Sequence, residues 1–299
     1  MKQLLVPALF LLCTNFCMAQ KTDTKLEKKL SVLMKDFHGK MGVYVYDLRS
    51  GKMTGINEDT IYPTASMVKM QILVGIMHKI YDGSLQFHQR MTYTDSLFYS
   101  EGDDILASFK PGATIELRRL ISLMLSYSDN CASLWLQGLS GGGKVINEYM
   151  DQLGLKYTRV NSRTEGREEN RIIYGWGQTT PKELASLMKM ILDNKIINRQ
   201  YSEEMLRMLG RQFWDEIGIS QIPPGIFIAD KNGAVDESRG EIMYVNAPHP
   251  YILAVCSKEN EDKSWNDNNE AWVLIRKISA TVFQHYNRKI KYQPEAPIK

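Results

Sequence analysis

Strand patterns at both ends of the chain enclose a long stretch of helical periodicity, and this order narrows the fold more than any other feature. Gly42 to Asp47 reads as a strand, Arg49-Ser50-Gly51-Lys52 as a turn and Met53 onward as the returning strand. From about Ser66 to about Leu206 the apolar residues recur mostly at helical spacing. Strand patterns return at Ile226–Ala229, Glu241–Val245 and Tyr251–Val255, and Ala271, Leu274, Ile275, Ile278, Val282 and Phe283 mark a final helix. The strands are not separated singly by helices, so a doubly wound parallel sheet is disfavoured. The expected fold is α+β: an antiparallel five-stranded sheet flanked by helices from both termini, with an inserted all-helical subdomain. The α/β part covers about residues 20–62 and 210–299, and the helical part about 63–209.

Individual helices follow from the same periodicity. Leu26, Leu30, Leu33 and Phe37 line one face of an amphipathic helix. Met67 to Ile80 is apolar on nearly every face, which predicts a helix buried all round. Thr114 is placed to cap a helix carrying Leu117, Leu120, Ile121, Met124 and Leu125 on one side.

The start of the chain has a different character. Lys2, the short apolar run Leu4 to Leu12 and the small residues around Cys17-Met18-Ala19 read as a secretory signal peptide over residues 1–19, cut near Ala19. The apolar run is too short for a bilayer helix, so the expectation is a periplasmic or secreted protein with no stable membrane anchor. Lys plus Arg is 37 against 34 Asp plus Glu, a formal charge of +3. That balance gives no basic face for nucleic acid, and the expected partner is a small molecule bound by a monomer. Cys131 and Cys256, the cysteines beyond the leader, sit in apolar surroundings and read as free buried thiols. The five histidines show no metal-ligand spacing. No metal or cofactor is expected.

Several motifs carry no weight alone. Gly138 to Val145 nearly spells a phosphate loop, but Val145 stands where a hydroxyl must hold magnesium, so the run reads as a helix–helix connection. The nucleophile elbow G-x-S-x-G is absent. A hydrolase without a histidine base can use a lysine kept neutral by burial or by another cation. Ser66-Met67-Val68-Lys69 meets that need, because residues three apart share a helix face and Ser66 lies at a helix start. Ser186 to Lys189 is a second S-x-x-K in a merely amphipathic helix, and Lys40-Met41-Gly42 and Lys110-Pro111-Gly112 match K-x-G as well as Lys231-Asn232-Gly233 does.

The combination is more specific. Ser128-Asp129-Asn130 occurs once, between two helices, and Lys231-Asn232-Gly233 follows the strand Ile226–Ala229. The order Ser66-x-x-Lys69, Ser128-Asp129-Asn130, Lys231-x-Gly233 resembles the three-part signature of serine β-lactamases and penicillin-binding proteins, and its spacings resemble class A β-lactamases in particular. Asp103 to Leu120, Leu153-Gly154-Leu155, Thr179 to Leu184 and Glu270 to Tyr286 are similar to further segments of that family, so the likeness spans about residues 25–286.

The resemblance implies an acyl-enzyme mechanism. Ser66 would be the acylated nucleophile, Lys69 its activating base, and Ser128 the relay that protonates the leaving nitrogen. Asn130, Lys231, Asn232 and Gly233 would line the substrate cleft, with the N–H groups of Ser66 and Ala234 as the oxyanion hole. Arg239 would meet a substrate carboxylate. The substrate implied is a β-lactam or a peptidoglycan-like amide; a penicillin-binding hydrolase of the DD-peptidase or esterase type, slow to deacylate, is the alternative. Two positions depart from the family. Asn232 stands where Thr or Ser is usual, and Arg163-Thr164-Glu165-Gly166-Arg167-Glu168-Glu169-Asn170 keeps R-x-E but lacks the Leu and shifts the Asn. Glu165 is the expected base for the deacylating water, with Glu168 as the alternative.

Overall fold

The computed structural model describes residues 21–99 and 104–294. The signal-peptide expectation therefore lies outside the described residues. Among those residues, no helix is long and apolar enough to cross a membrane.

The main sheet has five strands: β1 (Lys40–Asp47), β2 (Met53–Ile56), β3 (Ile228–Val235), β4 (Ser238–Val245) and β5 (Tyr251–Lys258). Their spatial order is β2-β1-β5-β4-β3, with every neighbouring pair antiparallel. The helices are α1 (Thr24–Met34), α2 (Lys69–Tyr81), α3 (Leu117–Ser122), α4 (Asn130–Leu139), α5 (Gly142–Gln152), α6 (Glu168–Tyr174), α7 (Pro181–Leu192), α8 (Arg199–Leu209) and α9 (Glu270–Tyr286). The α+β expectation holds.

Strand alternation divides the core. Val43, Val45, Met243, Val245, Leu253 and Val255 point to one face and pack with Leu26 and Leu30 of α1 and Leu274, Ile278 and Val282 of α9. Tyr44, Ile242, Ile252, Ala254 and Cys256 point to the other face and join α2, α4 and α7. Covering both faces accounts for strands that read as nearly continuous apolar runs. Cys131 and Cys256 are free and buried.

Two local expectations are corrected. Thr114 does not cap a helix: it pairs with Thr92 in a short two-stranded ribbon, and α3 starts at Leu117 after an extended Glu116. The strand expected to end at Ala229 runs through Lys231-Asn232-Gly233 to Val235. Asp, Asn and Gly disfavour strands intrinsically, but the register Asn232↔Glu241 and Gly233↔Gly240 with β4 overrides that preference. The Gly138–Val145 run spans the end of α4, the Ser140-Gly141 connection and the start of α5, and Gly141 and Gly142 take φ of 94° and 83° there.

Candidate active site

Three chain segments converge at the free edge of the sheet. A 3₁₀ turn over Ala65–Val68 carries Ser66 and runs into α2, which is buried along most of its length. Ala65 adopts φ 43°, a strained conformation held by its surroundings. Ser128 ends a π-helical turn over Leu123–Tyr127 with φ 61°, and Asp129 caps α4 by accepting from Ala132 N. β3 supplies Lys231, Asn232, Gly233 and Ala234.

Lys69 joins two of these segments. Its Nζ lies 2.9 Å from Ser66 Oγ and 3.1 Å from Ser128 Oγ, and it donates to Ser128 O at 2.6 Å and Asn130 Oδ1 at 2.8 Å. The side chain is fully buried. Burial, and then the neighbouring Lys231, hold its pKa well below the ordinary lysine range. A neutral amine in that position accepts the Ser66 proton. The second S-x-x-K has no such setting: Ser186 Oγ donates to Lys182 O, and Lys189 pairs with Asp193 in partial exposure.

The third triplet is split by strand alternation. Gly233 lies on the sheet face of the Ser66 turn and Asn232 on the face of its partner Glu241; both reach the cleft, whereas Lys231 is fully buried and, contrary to the sequence expectation, does not line it. Burial pushes the Lys231 pKa down to about 8, against the opposing pull of Asp230 and Glu241. Its Nζ donates to Asn232 O at 3.0 Å and Asn232 Oδ1 at 3.1 Å. Gly233 needs its missing side chain, since a Cβ would lie 2.8 Å from Ser66 N. One N–H of the Asn232 amide donates to Trp214 O at 3.2 Å, which ties this position to the cleft wall.

A cleft of about 430 Å³ opens over these residues, lined by Ser66, Ser128, Asn130, Asn232, Gly233 and Ala234. Its remaining walls include Asp104, Tyr127, Trp214, Glu216, Trp265, Trp272 and Arg276, none of which motif spacing singled out. Asp104 Oδ1 accepts from Asn130 N at 2.7 Å, and burial raises its pKa. The adjacent aromatics Phe213-Trp214, isolated between a helix and a strand, are the one signal in the sequence for this wall.

The sequence expectation for Arg239 is corrected. It is fully buried, with its guanidinium 4.5 Å from the Trp265 ring centroid and 4.8 Å from that of Trp272, and it donates to Ser238 O and Ser264 O. It supports the cleft wall from behind. Glu165 and Glu168 also stand elsewhere than expected: both are exposed, and neither lines the cleft or bonds Lys69. Glu168 begins α6 and accepts from Gly166 N, while Arg167 turns inward to Asn161 and Gln178. The loop is folded around that arginine. The side chain over Lys69 is Trp176, 5.9 Å from Nζ to the ring centroid.

The geometry agrees with comparisons to known proteins. The β-lactamase VEB-1 of Pseudomonas aeruginosa is 20% identical over 303 residues, covering 96% of this chain and 99% of that protein. The structure of PBP-A superposes with a TM-score of 0.79 at 24% identity, covering 90% of this chain and 98% of that one. A class A β-lactamase from Bacteroides cellulosilyticus gives 0.78 at 21% identity, covering 90% and 100%. A family model described as the β-lactamase enzyme family matches residues 25–286, nearly the whole described chain. The chain belongs to the β-lactamase enzyme family.

Proposed function

We propose that the protein is a serine β-lactamase that opens the β-lactam ring through an acyl-enzyme on Ser66. One observation carries the reading: a fully buried Lys69 amine within hydrogen-bond reach of both Ser66 Oγ, at 2.9 Å, and Ser128 Oγ, at 3.1 Å. Neutral Lys69 takes the Ser66 proton as Oγ attacks the lactam carbonyl. The N–H groups of Ser66 and Ala234 receive the developing oxyanion, a stabilisation typically worth about 100- to 1,000-fold in rate. Lys69 passes its proton through Ser128 to the leaving nitrogen, and the ring opens. Water then hydrolyses the ester, with neutral Lys69, 2.9 Å from Ser66 Oγ, as its base. A related precedent is a PBP-A variant solved as an acyl-enzyme complex with penicillin G. The substrate arrives outside the inner membrane, after removal of residues 1–19, and is bound by a monomer.

The test compares wild type with Ser66→Ala on a chromogenic cephalosporin. Hydrolysis by wild type and none by the variant is expected; equal rates would refute the proposal. A second reading has its own support. Glu165 and Glu168 both lie away from Lys69, which favours a penicillin-binding hydrolase of the DD-peptidase or esterase type that acylates and releases slowly. Measured deacylation separates the two.

A further inference from the structure

Two buried carboxyl groups take no part in the acylation chemistry. Asp230 and Glu241 lie on β3 and β4, and the register Asn232↔Glu241 puts Asp230, Asn232 and Glu241 on one face of the sheet. All three hold one segment, residues 212–218. Gln212 Nε2 donates to Asp230 Oδ1 at 3.2 Å, Asn232 Nδ2 to Trp214 O at 3.2 Å, and Gly218 N to Glu241 Oε2 at 2.8 Å. The segment's other side is tied to the residues before Ser128. Phe213 N donates to Ser126 O at 3.1 Å, and Trp214 Nε1 to Tyr127 O at 3.0 Å. The segment is therefore a strap from the free sheet edge to the helical half, across the end of the cleft that holds Ser128.

The remaining oxygen of each carboxyl, Asp230 Oδ2 and Glu241 Oε1, is buried without a donor, and the two carboxyls contact each other. Two carboxylates in such contact cannot both be ionised. One proton held between them satisfies both oxygens and leaves Asp230 Oδ1 and Glu241 Oε2 free to accept from the strap. Lys231, next in the chain, is the cation that acts on both groups, and the strap faces them with the neutral Gln212 side chain and the Gly218 amide.

We propose that this proton-sharing pair, with Asn232, clamps the 212–218 strap as the leaving-group wall of the cleft. Asp230 and Glu241 are then positioning residues, and Trp214 determines specificity for planar, cationic aromatic substituents on the ring that bears the leaving nitrogen. The inference rests on the acylation of Ser66 proposed above and deepens it. Ser128 serves the leaving nitrogen, so the strap bonded beside it borders that half of the substrate. The wall is aromatic: Tyr127 and Phe213 stack at 4.7 Å, and Phe213 meets Trp214 edge-on at 5.0 Å. Glu216 adds a carboxylate to the same wall. An aromatic face beside a carboxylate favours a cationic ring.

The test uses two cephalosporins with the same acyl group, one carrying a pyridiniummethyl substituent at position 3 and the other a methyl. Glu241→Ala removes the clamp, and Gly218→Ala pushes the strap off from the other side, because its new Cβ would lie 2.5 Å from Glu241 Oε2. Both should raise KM for the pyridinium compound about tenfold, the loss of one buried hydrogen bond. KM for the methyl compound, and kcat for both, should stay within about twofold. Amide exchange across 212–218 should quicken by about tenfold in both variants. Glu241→Gln, whose amide hydrogens replace the shared proton, should match wild type in KM and exchange. In wild type, strap exchange corrected for its intrinsic pH dependence should quicken as alkaline pH removes the shared proton, and in Glu241→Gln it should not.

Equal KM changes for the two compounds, unaltered strap exchange, or a Glu241→Gln variant that behaves like Glu241→Ala would overturn the inference. Absence of Ser66-dependent hydrolysis in wild type would instead sink the acylation reading, and Trp214's specificity role with it. The exchange measurement needs no turnover and decides the clamp separately.

Discussion

Gly233→Ala is the most informative single substitution, because the structure says what an added methyl group would meet. Its Cβ would lie 2.5 Å from Thr64 O, 2.8 Å from Ser66 N and 2.9 Å from Met67 N. All three are backbone atoms of the turn that carries the nucleophile, so no side chain can swing aside. Restoring ordinary contact distances requires strand β3 and the turn to separate by roughly 1 Å. A displacement of that size between reacting groups costs on the order of 100-fold in rate, or about 2.7 kcal/mol at 1.36 kcal/mol per factor of ten. Overpacking should also cost about 1–3 kcal/mol of stability. The assay is kcat/KM on a chromogenic cephalosporin, run beside a thermal melt. Gly138→Ala is the control, because its Cβ meets nothing within 4 Å. A folded Gly233→Ala enzyme that keeps kcat/KM within about threefold of wild type would refute the claim that β3's approach to Ser66 sets the reacting geometry.

Other predictions follow from the same site. Lys69→Ala should slow acylation about 100- to 10,000-fold, the usual worth of a positioned base, while Lys189→Ala, in the half-buried second S-x-x-K, changes it less than about twofold; equal effects in stopped-flow acylation would identify the wrong pair. Raising pH deprotonates Lys231 as it passes about 8; this buried cation stands behind the cleft lining, so the field that attracts an anionic lactam weakens and kcat/KM should fall above that pH. Lys231→Arg, which stays charged, should lose that alkaline limb, and an unchanged limb would assign it to another group. Glu165→Gln and Glu168→Gln should leave acyl-enzyme release within about twofold of wild type, since removing a working base costs about 100-fold or more; trapping by either would show that the loop closes on the ester. Arg239→Lys should alter Trp fluorescence and lower Tm by loosening Trp265 and Trp272, and a selective rise in KM with neither change would restore Arg239 to the substrate.

The parts of the fold that could be read in advance are those where local pattern and tertiary packing agree. Leu26 and Leu30 on α1, the mostly apolar α2 and the Glu270–Tyr286 helix follow from periodicity because each buries the face its sequence makes apolar. Thr114 and the end of β3 went the other way: strand pairing with Thr92 and with β4 outweighed local capping and propensity. The same division holds in the site. Ser66 and Lys69 are legible because three-residue spacing on a helical turn fixes their proximity. Their tie to Ser128 and Asn130 spans about 60 residues of chain and rests on the family's motif order rather than on spacing. Arg239 and the two glutamates were not legible, because no motif states which way a side chain turns. Arg239 donates to two backbone carbonyls and lies against two tryptophan rings, and Arg167 takes the inward place in its loop. Beyond the adjacent Phe213-Trp214, the aromatic wall was not legible for a related reason: Tyr127, Trp214 and Trp265 are far apart in sequence and come to one cleft only in the folded chain.

The central claim, that Lys69-activated Ser66 carries a transient acyl group, is tested most directly by intact mass over time after mixing with benzylpenicillin, with peptide mapping of the adduct. One penicilloyl group is expected, on Ser66, that rises and decays as opened penicillin accumulates, and no adduct on Ser66→Ala. An adduct on any other residue, or product formed with Ser66→Ala, would contradict it. An adduct on Ser66 that never decays would contradict turnover and establish the slow-releasing penicillin-binding hydrolase in its place.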